Sequence, residues 1–212
     1  MLKSETKDAK DKVEKWMACP VVATDYPGLA YLCTLNELLV VERVDALHEV
    51  ISKTRRVGYT IYNNAGEKVF LAVKELQKQE RFTIKVFNNY GNEIIQVKKP
   101  TKLFFNNVLV WAPPGNFVGS VEQDKCWSQN YVMKNRSGEP ILKLKAQKVF
   151  KFVYDIMSGE EKIGTIMSKW EISNVNEYKF GVTFPITMSV EEKSVLLGAC
   201  FLMDCLKCNK CC

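Results

Sequence analysis

The sequence is poor in the groups that do chemistry. Among 212 residues there is one histidine, His48, and no Ser, Cys or Lys nucleophile stands at a recognisable catalytic spacing from it. No glycine-rich loop is present to cradle a phosphate, so the sequence is read as a binding or transport protein rather than an enzyme. Long apolar runs are lacking too. The C-terminal run Val195-Leu196-Leu197-Gly198-Ala199-Cys200-Phe201-Leu202-Met203 is nine residues long. As a helix it rises about 14 Å, against a hydrocarbon core of about 30 Å that needs roughly 20 residues. A full membrane span is therefore not expected. No signal-peptide-like stretch opens the sequence, so synthesis in the cytosol is expected, with the eight cysteines as free thiols.

What is present is the composition of a globular domain: 47% hydrophobic and 25% charged residues, with a formal charge of +6. Residues 1–18 stand apart as a flexible arm, in which Lys3, Glu5, Lys7, Asp8, Lys10, Asp11, Lys12, Glu14 and Lys15 leave little to bury. Residues 19–204 are expected to fold as one domain, followed by a Cys-rich tail over 205–212. Positive charge gathers at Lys98, Lys99, Lys102, Lys143, Lys145, Lys148 and Lys151. Such density suits anionic lipid headgroups or a nucleic-acid backbone, or is simply the wet face of strands. No specific nucleic-acid partner is predicted.

Four segments share one pattern. Tyr59–Tyr62 leads through Asn63 and Gly66 into Lys68–Leu71, and Phe82–Val86 leads through Asn88 and Gly91 into Glu93–Val97. Tyr131–Met133 leads through Asn135 and Gly138 into Ile141–Leu144, and Phe152–Tyr154 leads through Asp155 and Gly159 into Ile163–Ile166. Asn can bond its own backbone at a turn entrance, and Gly three positions later can take positive φ, which predicts hairpins. Asn135-Arg136-Ser137 matches a glycosylation acceptor but is read as one of these turns. Val108–Trp111 and Phe117–Val121 add two strands, with Ala112-Pro113-Pro114-Gly115 as a stop between them. Leu35–Ile51 is ambiguous between helix and strand and is read as strand. Ser189 and Glu192 have capping-box spacing, which starts a helix over about 190–204 that is apolar on every side. Ten or so strands and one such helix fit a mainly β fold, a closed antiparallel β-barrel with the helix inside. Trp111, Trp127 and Trp170 are expected to pack in that barrel, and His48 to lie at or near the surface.

Pro27-Gly28-Leu29-Ala30-Tyr31-Leu32, Ala112-Pro113-Pro114-Gly115, Lys169-Trp170, Phe180-Gly181-Val182-Thr183-Phe184-Pro185 and Leu197-Gly198-Ala199-Cys200-Phe201-Leu202-Met203-Asp204 occur in the order seen in phospholipid scramblases, which the chain resembles over about 26–204. The resemblance implies a tubby-like fold of twelve antiparallel strands around a buried C-terminal helix. It also implies calcium-stimulated, ATP-independent movement of phospholipids between leaflets, with attachment through palmitoylated cysteines. Three departures stand out. The acidic loop that is the family's proposed calcium site is shorter here, and Asn174, Asn176 and Glu177 offer at most a weak one, since calcium wants six to eight oxygens, several from carboxylates. The family's cysteine cluster has no counterpart in residues 100–107, and the Pro-rich N-terminal region is missing.

Cys205, Cys208, Cys211 and Cys212, interleaved with Lys207 and Lys210, read as a relocated acylation cluster, because thiols beside cations suit an anionic membrane surface. A zinc site, prenylation and unmodified thiols are the alternatives. Lys98, Lys99, Lys102, Lys207 and Lys210 are the expected headgroup contacts. The sequence thus points to a scramblase-type protein with anionic phospholipid as partner, possible as a homo-oligomer, on the cytosolic face of a membrane, the plasma membrane first. Covalent palmitate and weakly held calcium are the cofactors considered. The second reading is a lipid-binding or protein-interaction module that transports nothing.

Overall fold

A computed structural model of the chain describes residues 15–22, 27–42, 56–76, 81–100, 106–150, 152–168 and 179–207. Twelve strands are formed: β1 Glu37–Glu42, β2 Arg56–Tyr62, β3 Lys68–Leu76, β4 Phe82–Phe87, β5 Glu93–Lys99, β6 Asn107–Trp111, β7 Phe117–Gln123, β8 Tyr131–Asn135, β9 Pro140–Ala146, β10 Val153–Ser158, β11 Glu161–Ser168 and β12 Lys179–Thr183. A 3-10 turn, Pro27–Leu29, runs into a one-turn helix, α1 Ala30–Cys33, and the chain's long helix is α2 Val190–Lys207. Every strand pairs antiparallel with its neighbours in sequence, and β1 pairs with β12, so the sheet closes into the expected barrel. Closure leaves no unpaired sheet edge.

The hairpin chemistry operates as the sequence requires in three of the four hairpins. In the fourth, Asp155 is a residue of β10 paired with Thr165, its carboxylate is taken by Lys162 and Gln147, and the turn is only Gly159-Glu160. Asn63 Oδ1 accepts from the N–H groups of Ala65 and Glu67, Asn88 Oδ1 from those of Tyr90 and Asn92, and Asn135 Oδ1 from that of Glu139. Gly66, Gly91, Gly138 and Gly159 all have positive φ, between 59° and 82°. Each of these four hairpins also has a register shift near its turn, the bulge that such loops bring. Ala112–Gly115 is more than a stop. It closes a fifth hairpin, in which the Ala112 N–H donates to Asn116 O at 2.9 Å and Gly115 has φ of 90°.

The ten strands read from alternation are β2 to β11. β1 settles Glu37–Glu42 as strand, and the remainder of that ambiguous stretch, with His48, lies outside the described residues. β12 gives no alternation signal because it is five residues long with Gly181 at its centre; pairing with β1 and β11 decides it. The arm assigned to residues 1–18 also ends differently. Lys15 O accepts from the Lys68 N–H, the Met17 N–H donates to Lys68 O, both at 2.8 Å, and Lys15 pairs with Glu67 at 3.0 Å. Residues 15–17 therefore run along the start of β3.

The apolar helix lies inside this wall. Residues 193–205 are buried without interruption. The capping box forms: Glu192 Oε2 accepts from the Ser189 N–H at 3.1 Å, and Ser189 Oγ accepts from the Glu192 N–H at 3.2 Å. Gly198 is where helix and wall come closest, since a Cβ there would stand 2.6 Å from Val110 Cγ2 on β6 and 3.6 Å from Val97 Cγ1 on β5. In an exposed helix, Gly to Ala gains up to about 1 kcal/mol. Here Gly198→Ala is expected to cost about 1–3 kcal/mol instead, through overpacking against a β-branched neighbour that has no room to turn. Urea denaturation of Gly198→Ala, and of the same change combined with Val110→Ala, checks this: the second substitution should recover most of the loss.

Candidate functional site

Alternation of strand direction sorts the chain to two unlike ends. The five tight hairpin turns, α1 and the N-terminus of α2 share one end, and the longer connections and the C-terminus of α2 share the other.

At the tight-turn end the first turn of α2 holds a charge that local sequence reasoning would leave in solvent. Lys193 is completely buried, and its ammonium donates to Leu32 O at 2.9 Å, Leu35 O at 2.9 Å and Ile186 O at 2.8 Å. Leu32 O lies at the C-terminus of α1, where it also accepts from the Leu35 N–H at 3.4 Å and where a cation is favoured by the backbone dipoles. The Phe184 ring lies 5.4 Å beneath the same nitrogen. Lys193 thus fastens α2 to the turn before β1 and to the strand exit after β12. Burial holds its pKa below the ordinary lysine value. Beside this end, Cys19, Tyr31, Tyr90 and Ile94 line a cleft of about 460 Å³, with Tyr31 Oη donating to Asn89 Oδ1 at 2.9 Å.

At the other end the helix is held by aromatic edges and an acid. Tyr59 of β2, Phe180 of β12 and Phe201 of α2 form a triangle of edge-to-face pairs with centroids 5.4–6.0 Å apart. Tyr59 Oη donates to Asp204 Oδ2 at 3.4 Å, and Asp204 is buried. Cys200, one turn earlier, has its thiol pKa pushed up by burial and then by Asp204.

Several expected site residues belong to this second end, with corrections. The helix continues to Lys207 rather than stopping near 204, so Cys205 is a helix residue, fully buried and disulfide-bonded. It is not part of an exposed tail of free thiols. Lys98 is exposed on β5, its ammonium 5.1 Å over the Trp111 ring, whereas Lys99, expected as a headgroup contact, is buried. Trp111 packs edge-on against Phe117, but Trp127 is 94% exposed, contrary to the packing expected of it. Cys208, Lys210, Cys211 and Cys212 lie outside the described residues, as do Lys102, Trp170, Asn174, Asn176, Glu177 and the side chain of Lys207. The connection containing the calcium candidates leaves from Ser168 and returns at Lys179, both at this end. Among the described residues no group of three or more His, Cys, Asp or Glu side chains converges, and no described helix is long and apolar enough to cross a membrane.

The barrel, its enclosed helix and the motifs along them have a counterpart in known proteins. The family model described as Scramblase matches residues 17–208. The chain belongs to the scramblase family. It is 26% identical to phospholipid scramblase 2 of Bos taurus, over 89% of this chain and 74% of that protein. To phospholipid scramblase 1 of Mus musculus it is 26% identical, over 89% of this chain and 66% of that protein. To phospholipid scramblase family member 5 of Homo sapiens it is 28% identical, over 84% and 76%. The chain thus spans about two thirds to three quarters of these relatives. No solved structure matches it. In this scramblase-family chain, Pro27–Leu32 forms the lid that Lys193 holds, Phe180–Pro185 supplies both the Tyr59 contact and the ring under Lys193, and Leu197–Asp204 is the enclosed helix.

Two measurements test the fastening of the helix. Lys193→Met removes the ammonium from which three inward carbonyls accept and is expected to lower stability by about 1–3 kcal/mol, read as a lower urea midpoint. Raising the pH tests the buried groups together. Burial raises the pKa of Tyr31, to about 12, and those of Tyr131, Tyr154 and Cys200. Their contribution is complete below the unfolded values, about 8.5 for Cys and about 10 for Tyr, and is lost as pH rises toward the folded ones. Lys193, shifted down, acts in the opposite sense. With four groups against one, the urea midpoint should fall progressively above about pH 9.

Proposed function

We propose that this scramblase-family chain is a membrane-associated protein that moves phospholipids between leaflets without ATP, working from the cytosolic face of a membrane, the plasma membrane first. The observation that carries this reading is the Scramblase family match over 17–208, on a barrel that keeps the family motifs where they fasten the helix. The relatives it resembles are named phospholipid scramblases. Transport through the barrel is disfavoured, because α2 fills the interior and leaves no passage for a headgroup. Lipid would instead move where the protein's outer surface disturbs the bilayer, alone or as an oligomer. The filled interior equally favours the second reading, a lipid-binding or interaction module that does not transport.

Attachment is proposed through thioester-linked acyl groups on two of Cys208, Cys211 and Cys212, since Cys19, Cys33, Cys126 and Cys200 are free thiols and the Cys205 disulfide takes one sulfur from the tail. Lys98, Lys102, Lys207 and Lys210 are proposed near headgroups. Two acyl chains give stable anchoring where one does not. Cys205 is left out, because its sulfur is buried and already bonded. Calcium is a separate proposal that rests on Asn174, Asn176 and Glu177, a set with a single carboxylate and hence of low affinity.

Reconstitution into liposomes carrying a labelled lipid separates the two readings, with and without calcium. Mixing faster than in protein-free vesicles is expected, and binding without mixing under both conditions would leave only the module. Glu177→Gln should abolish any acceleration by calcium. In cells, hydroxylamine-sensitive labelling should persist in Cys205→Ser and disappear when Cys208, Cys211 and Cys212 are all replaced by Ser.

A further inference from the structure

The end of the barrel where α2 stops carries apolar side chains that the fold does not need. Two neighbouring loops, residues 124–130 between β7 and β8 and residues 147–152 between β9 and β10, expose Trp127 at 94%, Val149 at 83% and Phe150 at 62%. At the tight-turn end Tyr90 and Ile186 are exposed on separate turns, and Val21 and Val22 are exposed in the segment before Pro27.

The first of these loops is built rather than loose. The Asp124 N–H donates to Asn130 O at 2.9 Å, the Ser128 N–H to Lys125 O at 2.9 Å, and Gln123 Nε2 to Ser128 O at 2.6 Å. Asn130 Oδ1 accepts from the Ala146 N–H at 3.0 Å, which ties the loop to the end of β9. Within this frame Trp127 has φ of 65°, and in the second loop Phe152 has φ of 62°. A left-handed backbone is costly for a bulky residue, and such strain gathers where function requires it. Presenting an indole to water from a strained backbone does nothing for folding. Between the two loops Ser128, Tyr131, Phe152, Tyr154 and Leu206 line a cleft of about 580 Å³ that reaches the last turn of α2.

Charge indicates what meets this surface. Lys125 and Lys148 are exposed in the loops themselves, and Lys143 and Lys145 are exposed on β9, which leads into the second loop. Among the described residues none of the four pairs with a carboxylate, while the nearby Asp155 is held by Lys162. Asp124 is the one exposed acid among the described residues of the loop pair. Apolar tips within a basic rim are the composition that partitions into the boundary of an anionic bilayer.

We propose that loops 124–130 and 147–152 dock this protein on an anionic phospholipid bilayer. Trp127, Val149 and Phe150 enter the headgroup–acyl boundary, and Lys125 and Lys148 contact phosphates. The proposal rests on the membrane reading above and specifies the face and orientation it leaves open. α2 ends at Lys207 beside this surface, and the tail that holds Cys208, Cys211 and Cys212 follows directly, so acylation of that tail would anchor the end that docks.

The test uses the full chain made without acylation. Flotation would be measured with phosphatidylcholine vesicles, with and without about a quarter phosphatidylserine. The wild type is expected to bind the anionic vesicles preferentially, with a blue shift in tryptophan emission that is lost in Trp127→Phe. Trp127→Ser combined with Phe150→Ser should weaken binding by roughly tenfold or more, and Lys125→Glu with Lys148→Glu should remove the preference for phosphatidylserine. All these side chains are exposed, and unchanged circular dichroism and urea midpoints confirm that the variants fold. Variants that bind like the wild type overturn the docking face and leave the membrane reading standing. A wild type that ignores both vesicles but sediments with membranes when acylated in cells does the same. One that stays soluble in both settings overturns the membrane reading as well. Concentration-dependent dimerisation that Trp127→Ser abolishes, without vesicle binding, assigns the surface to a second copy and overturns the proposal.

Discussion

A closed twelve-stranded barrel encloses a space that must be filled with apolar side chains, and α2 fills it. Val195, Leu196, Leu197, Phe201, Leu202 and Met203 are buried against the inner face of the wall, each worth about 1.5–3 kcal/mol. A domain of this kind has a net stability of only about 5–15 kcal/mol. Withdrawing the helix is therefore energetically equivalent to unfolding the barrel. Everything else in the structure follows that constraint. Gly198 allows the helix to lie against β5 and β6, Lys193 fastens its first turn, and the Tyr59–Phe180–Phe201 triangle holds its far end.

The same constraint limits how a protein of this family can act on lipid. A barrel filled by its own helix offers a headgroup no interior path. Release of the helix into a bilayer would carry Lys193 and Asp204 into hydrocarbon at about 2.5–3.5 kcal/mol each, and would leave the inner wall bare. Work on a membrane is thereby confined to the outer surface and to the two ends. These ends are chemically unlike. One is closed by short turns whose side chains bond their own backbone, and the other carries the longer connections, the exposed Trp127 and Phe150, and the exit toward the cysteines.

Much of the wall is legible in the residues alone. Asn followed three positions later by Gly marks a turn because few other residues meet its hydrogen-bond and φ requirements, and alternation beside such turns marks strands with one dry face. Ser189 and Glu192 mark the helix start for a similarly local reason. β12 is not legible from alternation, because five residues around a glycine carry no period and their place depends on partners 12–18 and about 140 positions away. Trp127 is misplaced by the same reasoning because an aromatic residue reads as core in a sequence, and only the loop's backbone turns it outward.

By itself the sequence determined the hairpins, the all-round apolar character of α2 and hence the need to surround it, since these follow from local hydrogen bonding and from burial. Which charges would be buried with that helix was a tertiary decision. Lys193 directly follows two glutamates in a solvated first turn, and nothing local separates it from them. It is buried because Leu32, Leu35 and Ile186, distant in sequence or across a turn, aim three carbonyl oxygens at the point it reaches. Cys205 likewise reads as tail. The wall's extent, rather than its neighbours in sequence, decided that the helix would carry it inside.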